Sequence, residues 1–131
     1  MQDPLSPTTP GLLDEPPWWH MYLDPRGRIS RKQFWLHGVA VPVAAGVVMQ
    51  ALLDIARVET DRAEQWVNLL LLWPIIVTSA KRWHDRNSSG WWVLIVMVPV
   101  IGWLWALAVN GLLRGTPGPN RFGPDPLAAS V

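Results

Sequence analysis

Residues 34–53 read FWLHGVAVPVAAGVVMQALL, a stretch without a single Asp, Glu, Lys or Arg. At about 1.5 Å per residue, a helix of this length covers roughly 30 Å, the thickness of the hydrocarbon core of a bilayer. Two further stretches share the property, WVNLLLLWPIIVTSA at 66–80 and WWVLIVMVPVIGWLWALAVNGLL at 91–113. The middle one is short. It reaches across only if Lys81 and Arg82 lay their methylene stems along the helix toward the headgroups, with Trp83 at the boundary. Of the 131 residues, 50% are apolar, ten are Trp and only 16% are charged, against about a quarter in soluble domains. Three helices apolar all round would leave a soluble bundle of this size too little polar surface to stay in solution. The expectation is an all-α polytopic membrane protein with three transmembrane helices, over about 34–54, 66–83 and 91–113.

Charge orients these spans. Residues 1–25 carry Asp3, Asp14, Glu15 and Asp24 with no Lys or Arg, and Arg26, Arg28, Arg31 and Lys32 follow directly before the first apolar stretch. A basic cluster beside a span marks the cytoplasmic side, which places the N-terminus there. Lys81, Arg82 and Arg86 share that side if the first two spans form a hairpin through IARVETDRAEQ. The chain has no cysteine, so disulfides and thiolate metal sites are excluded. No basic segment followed by an apolar one opens the chain, so the first span is expected to serve as its own insertion signal.

Residues 1–17 hold five prolines and few large apolar groups, the composition of a disordered leader. WWHMYL at 18–23 suits a short segment lying in the headgroup layer. Residues 18–126 are expected to form one membrane-embedded helical domain, with 127–131 as a tail. Ser30 followed three residues later by Gln33 predicts a capping box, and Ile29 with Phe34 has the spacing of a hydrophobic staple, so the first helix starts near Arg31. Pro42, Pro74 and Pro99 each remove a helical hydrogen bond, which calls for neighbouring helices to take up the freed carbonyls. Gly38 and Gly46, and on the third stretch Gly102, Ala106 and Asn110, supply small residues for close helix packing, with Asn68, Ser79 and Asn110 available for interhelical hydrogen bonds.

VPVIG at 98–102 leaves two readings of the third stretch: a span kinked at Pro99 and Gly102, or a re-entrant hairpin turning there. A crossing third helix puts seven basic residues inside and four outside, whereas a re-entrant one puts nine inside and two outside. Length favours crossing, because arms of about eight and eleven residues are too short to span and an exposed apex needs protein or water around it. The crossing reading is preferred. GTPGPNRFGPDP at 115–126 predicts tight turns and extended steps, a rigid strap anchored by Arg121 and Phe122.

RGRISRKQFW at 26–35, KRWHDRNSSGWW at 81–92, VPVIGW at 98–103 and GTPGPNRFGPDP at 115–126 together resemble the "domain of unknown function 805" family of small bacterial inner-membrane proteins. The resemblance covers about residues 18–126, with Trp83 standing where the family's usual segment has Leu. It implies a bacterial inner membrane and supplies no catalytic residue.

His84 and Asp85 are the conspicuous chemical pair, yet as helix neighbours they point about 100° apart. Asp85 is within helical reach of Lys81 and Arg82. If His37, one turn into the first span, converges with His84 and Asp85, the cluster suits a metal, a proton relay or acid–base work on a lipid headgroup. The structural reading is preferred: Arg82, His84, Asp85 and Arg86 fix the loop and touch phosphates, with His37 bonded to a helix carbonyl. No HExxH, GxSxG or phosphate-binding glycine loop occurs, and neither a metal nor a cofactor is expected. An oligomeric channel lined by Asn68 and Asn110 is a weaker reading, because the span centres carry no charge. Nucleic acid is not expected, since the basic residues fall into juxtamembrane groups. The functional expectation is a basic, aromatic cytoplasmic face that binds anionic lipid headgroups or docks a partner protein, with a homo-oligomer also open. Arg28, Arg31, Lys32, Arg82 and Arg86 attract the phosphates, and Trp18, Trp35, Trp83 and Trp91 set the depth.

Overall fold

A computed structural model describes residues 18–58 and 60–128, with the side chains of 60 and 61 excepted. The expected leader over 1–17 and the last residues of the tail, 129–131, lie outside the described residues. Among those described, all regular structure is helical apart from one bridge between Asn120 and Gly123. A short helix α1 (His20–Leu23) precedes the long α2 (Arg31–Ala56), which is followed by α3 (Thr60–Asp85). A 3₁₀ helix (Gly90–Met97) and α4 (Ile101–Leu112) complete the order.

α2 begins as its sequence dictates. The Ser30 hydroxyl accepts from the Gln33 N–H, the Gln33 side chain accepts from the Ser30 N–H at 2.9 Å, and the flanking Ile29 and Phe34 are buried. Ahead of Pro42 the helix widens into a π stretch over Phe34–Ala40, and the Val41 N–H reaches back to the Leu36 carbonyl. This loosening takes up the proline ring's clash with the preceding turn without breaking the rod. α2 ends on Arg57 in the left-handed region (φ 50°), with the Val58 N–H closing on the Leu53 carbonyl.

α2 and α3 form an antiparallel hairpin whose spacing is set by two glycines. A β-carbon on Gly38 would stand 3.0 Å from Thr78 Oγ1, one on Gly46 would stand 3.2 Å from Leu71 Cδ1, and farther along Gln50 donates to Glu64 at 2.8 Å. Among the described residues, α2 is the one helix long and apolar enough to cross a membrane by length and composition.

The third apolar stretch departs from the preferred expectation of a single crossing. Its two ends meet the same turn: Gly90 abuts His84, while the carbonyls of Asn110 and Leu113 accept from Arg82. Between them the chain reverses at Val98–Val100. The Ile101 N–H bonds to the Pro99 carbonyl at 2.8 Å around Val100, whose φ of 64° and ψ of −67° make this the rare, strained form of γ-turn. Gly102 permits the reversal, because a β-carbon there would fall 1.8 Å from the Ile95 carbonyl oxygen. Length misleads here because the stretch folds back on itself instead of running on as one rod. Nor is the apex left with bare carbonyls, since Ile95, Val96, Val98, Pro99 and Val100 all accept hydrogen bonds from within the hairpin, Val96 from the Trp103 indole at 2.8 Å.

Candidate functional site

Among the described residues, the turn at the end of α3 gathers a dense set of bonds. Asp85 sits between two guanidinium groups: Arg28 donates to Oδ1 through Nε at 3.0 Å, with its Nη2 in ion-pair contact at 2.9 Å, and Arg82 pairs with Oδ2. The side chains of Arg28 and Arg82 are 1% and 0% exposed. Two buried cations against one carboxylate leave an excess positive charge, and carbonyl dipoles compensate it. Arg82 donates to the carbonyls of Asn110 (2.7 Å) and Leu113, which lie at the end of α4. Arg28 donates to those of Thr116 (2.6 Å) and Gly118 (2.7 Å) in the tail. Each arginine thereby satisfies carbonyls that lack an intrahelical or turn partner, while the carbonyls spread its charge.

The tail closes over this knot as a strap. The Thr116 N–H and hydroxyl both donate to the Asp85 carbonyl, at 2.8 and 2.9 Å, and the Asn120 amide donates to the His84 carbonyl at 2.9 Å. Gly115 passes so close that a β-carbon there would stand 1.8 Å from Asp85 Oδ2. Phe122 stacks on the His84 ring with centroids 4.0 Å apart, and Arg121 lies over Phe122 while donating to the Asn87 carbonyl at 3.0 Å. Arg121 and Phe122 do fasten the strap, but Arg28, from the other end of the chain, is its main anchor.

Placement of the expected site residues follows from these contacts. His84 Nδ1 donates to the Gly27 carbonyl at 3.2 Å, since a carbonyl can only accept. Burial pushes the His84 pKa below its ordinary value, with the Gly27 carbonyl opposing the shift and the charges of Arg121 and Lys81 adding to it. His37 shares a hydrogen bond of 2.7 Å with the Tyr22 hydroxyl instead of a helix carbonyl. His37, His84 and Asp85 are thus each committed to different partners and do not converge. Among the described residues no group of three His, Asp or Glu is arranged to hold a metal ion.

Three expected headgroup contacts need correction. Arg28 and Arg82 present no guanidinium to a bilayer, because Asp85 and the tail carbonyls enclose them. Trp83 is 4% exposed and stacks on Trp92 at 5.8 Å, so it sets no membrane depth. Arg31, Lys32 and Arg86 keep to the surface, Arg31 donating to the Leu112 carbonyl and Arg86 to that of Arg114. Trp18 and Trp91 are largely exposed, and Trp35 is half so, with its indole donating to the Gly111 carbonyl. Ala106 and Asn110 are buried, though Asn110 contributes its backbone carbonyl to Arg82 while its side-chain oxygen has no partner. Asn68 is exposed.

A cleft of about 620 Å³ opens beside the knot, between α1, the connection to α2 and the end of α3. Its lining includes His20, Tyr22, Arg26, His37 and Lys81, which sequence reasoning did not gather into one site. Spacing gave no signal for it, since Lys81 is 44 to 61 positions from the others and meets them only through the α2–α3 hairpin.

The model of a family described as "Protein of unknown function (DUF805)" matches residues 22–124. The chain belongs to the DUF805 family. Among its relatives, the inner membrane protein YhaH of Escherichia coli K12 is 34% identical over 109 residues, covering 80% of this chain and 88% of the relative. The inner membrane protein YhaI of the same strain is 32% identical over 105 residues, covering 80% and 87%. The uncharacterized protein YiiR, also from that strain, is 27% identical over 124 residues, covering 76% and 84%. No solved structure matches. The DUF805 match takes in α2, α3, the reversing apolar stretch and most of the strap, and these relatives identify the chain as an integral protein of a bacterial inner membrane.

Proposed function

We propose that residues 18–126 form a single membrane domain in which α2 and α3 cross the bilayer. The 3₁₀ helix and α4 dip in from the cytoplasmic side, and that side binds anionic lipid headgroups. One observation carries this reading. The returning hairpin brings Arg114 beside Arg86 and the strap brings Arg121 beside Asn87, so these two join the basic residues around the knot. Of eleven Lys and Arg, Arg57 and Arg62 belong to the far end of the α2–α3 hairpin, which leaves nine at the knot. So lopsided a distribution supports a cytoplasmic knot, and a cytoplasmic N-terminus with it. The arms fit a half-depth insertion: eight residues of 3₁₀ helix reach about 16 Å and twelve of α4 about 18 Å, against a core of about 30 Å.

With Arg28 and Arg82 consumed by the knot, the phosphates fall to Arg31, Lys32, Arg86, Arg114 and Arg121. Each is worth about 1 kcal/mol near an anionic surface. Single cysteines in this cysteine-free chain test the topology: Ser88→Cys and Ala128→Cys should be labelled from one side and Val58→Cys from the other. Labelling of Ser88→Cys and Ala128→Cys from opposite sides rules out the re-entrant hairpin. For the lipid surface, replacing Arg31, Lys32 and Arg86 together by Gln should weaken retention on phosphatidylglycerol vesicles at low salt, and unchanged retention counts against it.

A further inference from the structure

Cations at this end of the molecule differ in what the fold leaves to them. Arg28 and Arg82 spend their donors on Asp85 and backbone carbonyls, as described above. Lys81 does not. Its residue is 7% exposed, its ammonium donates to the His20 carbonyl at 2.8 Å, and among the described residues no carboxylate lies within ion-pair distance of it. An ammonium carries three donors, and a buried one is costly unless its charge is met. Lys81 lines the cleft beside α1, with Arg26 exposed at the rim and His20 and the hydrogen-bonded pair of Tyr22 and His37 completing its polar lining.

Asp24 is the acidic residue in that lining, and it is already engaged. Its Oδ1 accepts from the Arg26 N–H at 2.9 Å, and its Oδ2 lies 3.7 Å from His20 Nδ1. Arg28, the third cation in the lining, has its guanidinium held by Asp85 and tail carbonyls, so Lys81 and Arg26 against Asp24 leave one unengaged positive charge, the complement of a single phosphodiester. A volume of about 620 Å³ exceeds what a bare anion needs and lies in the range of small-molecule sites. The surroundings are interfacial: Trp18 at the rim is 79% exposed, and Trp19 and Leu23 on α1 are 44% and 58% exposed.

We infer that this cleft is a stoichiometric phosphate-binding site, occupied by the headgroup of one anionic phospholipid, with Lys81 as its buried cation and Arg26 as its outer one. The inference rests on the cytoplasmic, lipid-facing reading of this end and adds to it a built site distinct from the diffuse basic surface.

Full-length protein in neutral detergent should be titrated calorimetrically with dioctanoyl phosphatidylglycerol, dioctanoyl phosphatidylcholine and inorganic phosphate. One equivalent of the anionic lipid should bind, with the zwitterionic lipid far weaker. Binding of inorganic phosphate in competition, as tightly as the lipid, would still support a phosphate site and would identify a soluble ligand as its source. Lys81→Gln should weaken the one-equivalent binding about ten- to hundredfold, the range for a charge-assisted contact. Arg26→Gln at the rim should weaken it about two- to fivefold. If Lys81→Gln does not fold, Arg26→Gln combined with Tyr22→Phe keeps the test open and should cost about tenfold. Affinity unchanged in whichever of these folds, or no stoichiometric binding of either phosphate compound, overturns the cleft. The Arg31, Lys32 and Arg86 triple variant separates the two levels. It should lose salt-dependent vesicle retention yet keep the one-equivalent site, so failure of either reading is visible apart from the other.

Discussion

Arg82 and Leu70 lie on the same helix, about three turns apart, with opposite fates: the arginine is 0% exposed and the leucine 70%. The contrast extends to the regions around them. Near the knot Lys81, Arg82, Asp85 and Asn110 are all buried, while in the apolar segments Val47, Leu70, Met97 and Ile101 lie between 64% and 74% exposed. A soluble domain has this the other way round. In lipid, apolar side chains gain little by leaving acyl tails for one another, so packing contacts and polar bonds have to hold the chain together. The polar end is where this protein's fold is fastened, and the apolar segments form its exposed surface.

Removing the shared carboxylate strikes that difference hardest. Asp85→Ala leaves two buried guanidinium groups without a counter-ion and should cost about 3–5 kcal/mol. A drop of under about 1 kcal/mol in unfolding free energy, measured in mixed micelles, would break the comparison. Next come the two glycines that bring backbone into contact, one in each region. Gly115→Ala drives a methyl into the Asp85 carboxylate and Gly102→Ala drives one into the Ile95 carbonyl, and each should cost about 1–3 kcal/mol by overpacking. Thermal melts of the two compared with the parent sharpen the picture, since Gly102→Ala should leave the knot's response to pH intact.

That response comes from His84. Its folded pKa is depressed by burial, so the neutral ring is the form the fold prefers. The stabilisation is fully present above the unfolded value of about 6.5 and is lost as pH falls through the lower folded value. His84→Phe keeps a flat ring against Phe122 and should flatten the melting temperature between pH 7 and pH 5; an unaltered slope would assign it elsewhere. The smallest effect belongs to the apolar surface: Leu70→Ala should change stability by no more than about 0.5 kcal/mol in the same micelles. A larger loss would mean that Leu70 faces protein.

Much of the candidate site was legible in outline. The capping box of Ser30 and Gln33 is a local pattern three residues apart, and its geometry follows from side-chain reach alone. Asp85 pairing with Arg82 obeys the same logic, as neighbours at i−3 on one helix. The second guanidinium, Arg28, was illegible as a partner because nothing local ties residue 28 to residue 85, and it reads as a surface cation until the strap closes over it. Lys81 likewise reads as a side chain reaching for headgroups, and it becomes the wall of a cleft only when α1 folds across it. The third apolar stretch shows where length misleads: 91–113 is long enough for one continuous rod, and its reversal depends on Gly102 accepting a carbonyl at a distance no side chain allows.

From the sequence alone came the solvent, the helical class and the family, because each rests on composition, on charge-free length or on motifs read along the chain. Which charges reach the surface and which become the core was decided by tertiary structure. Burying a guanidinium requires carbonyls and a carboxylate to converge from distant segments, and their convergence is a property of the folded chain.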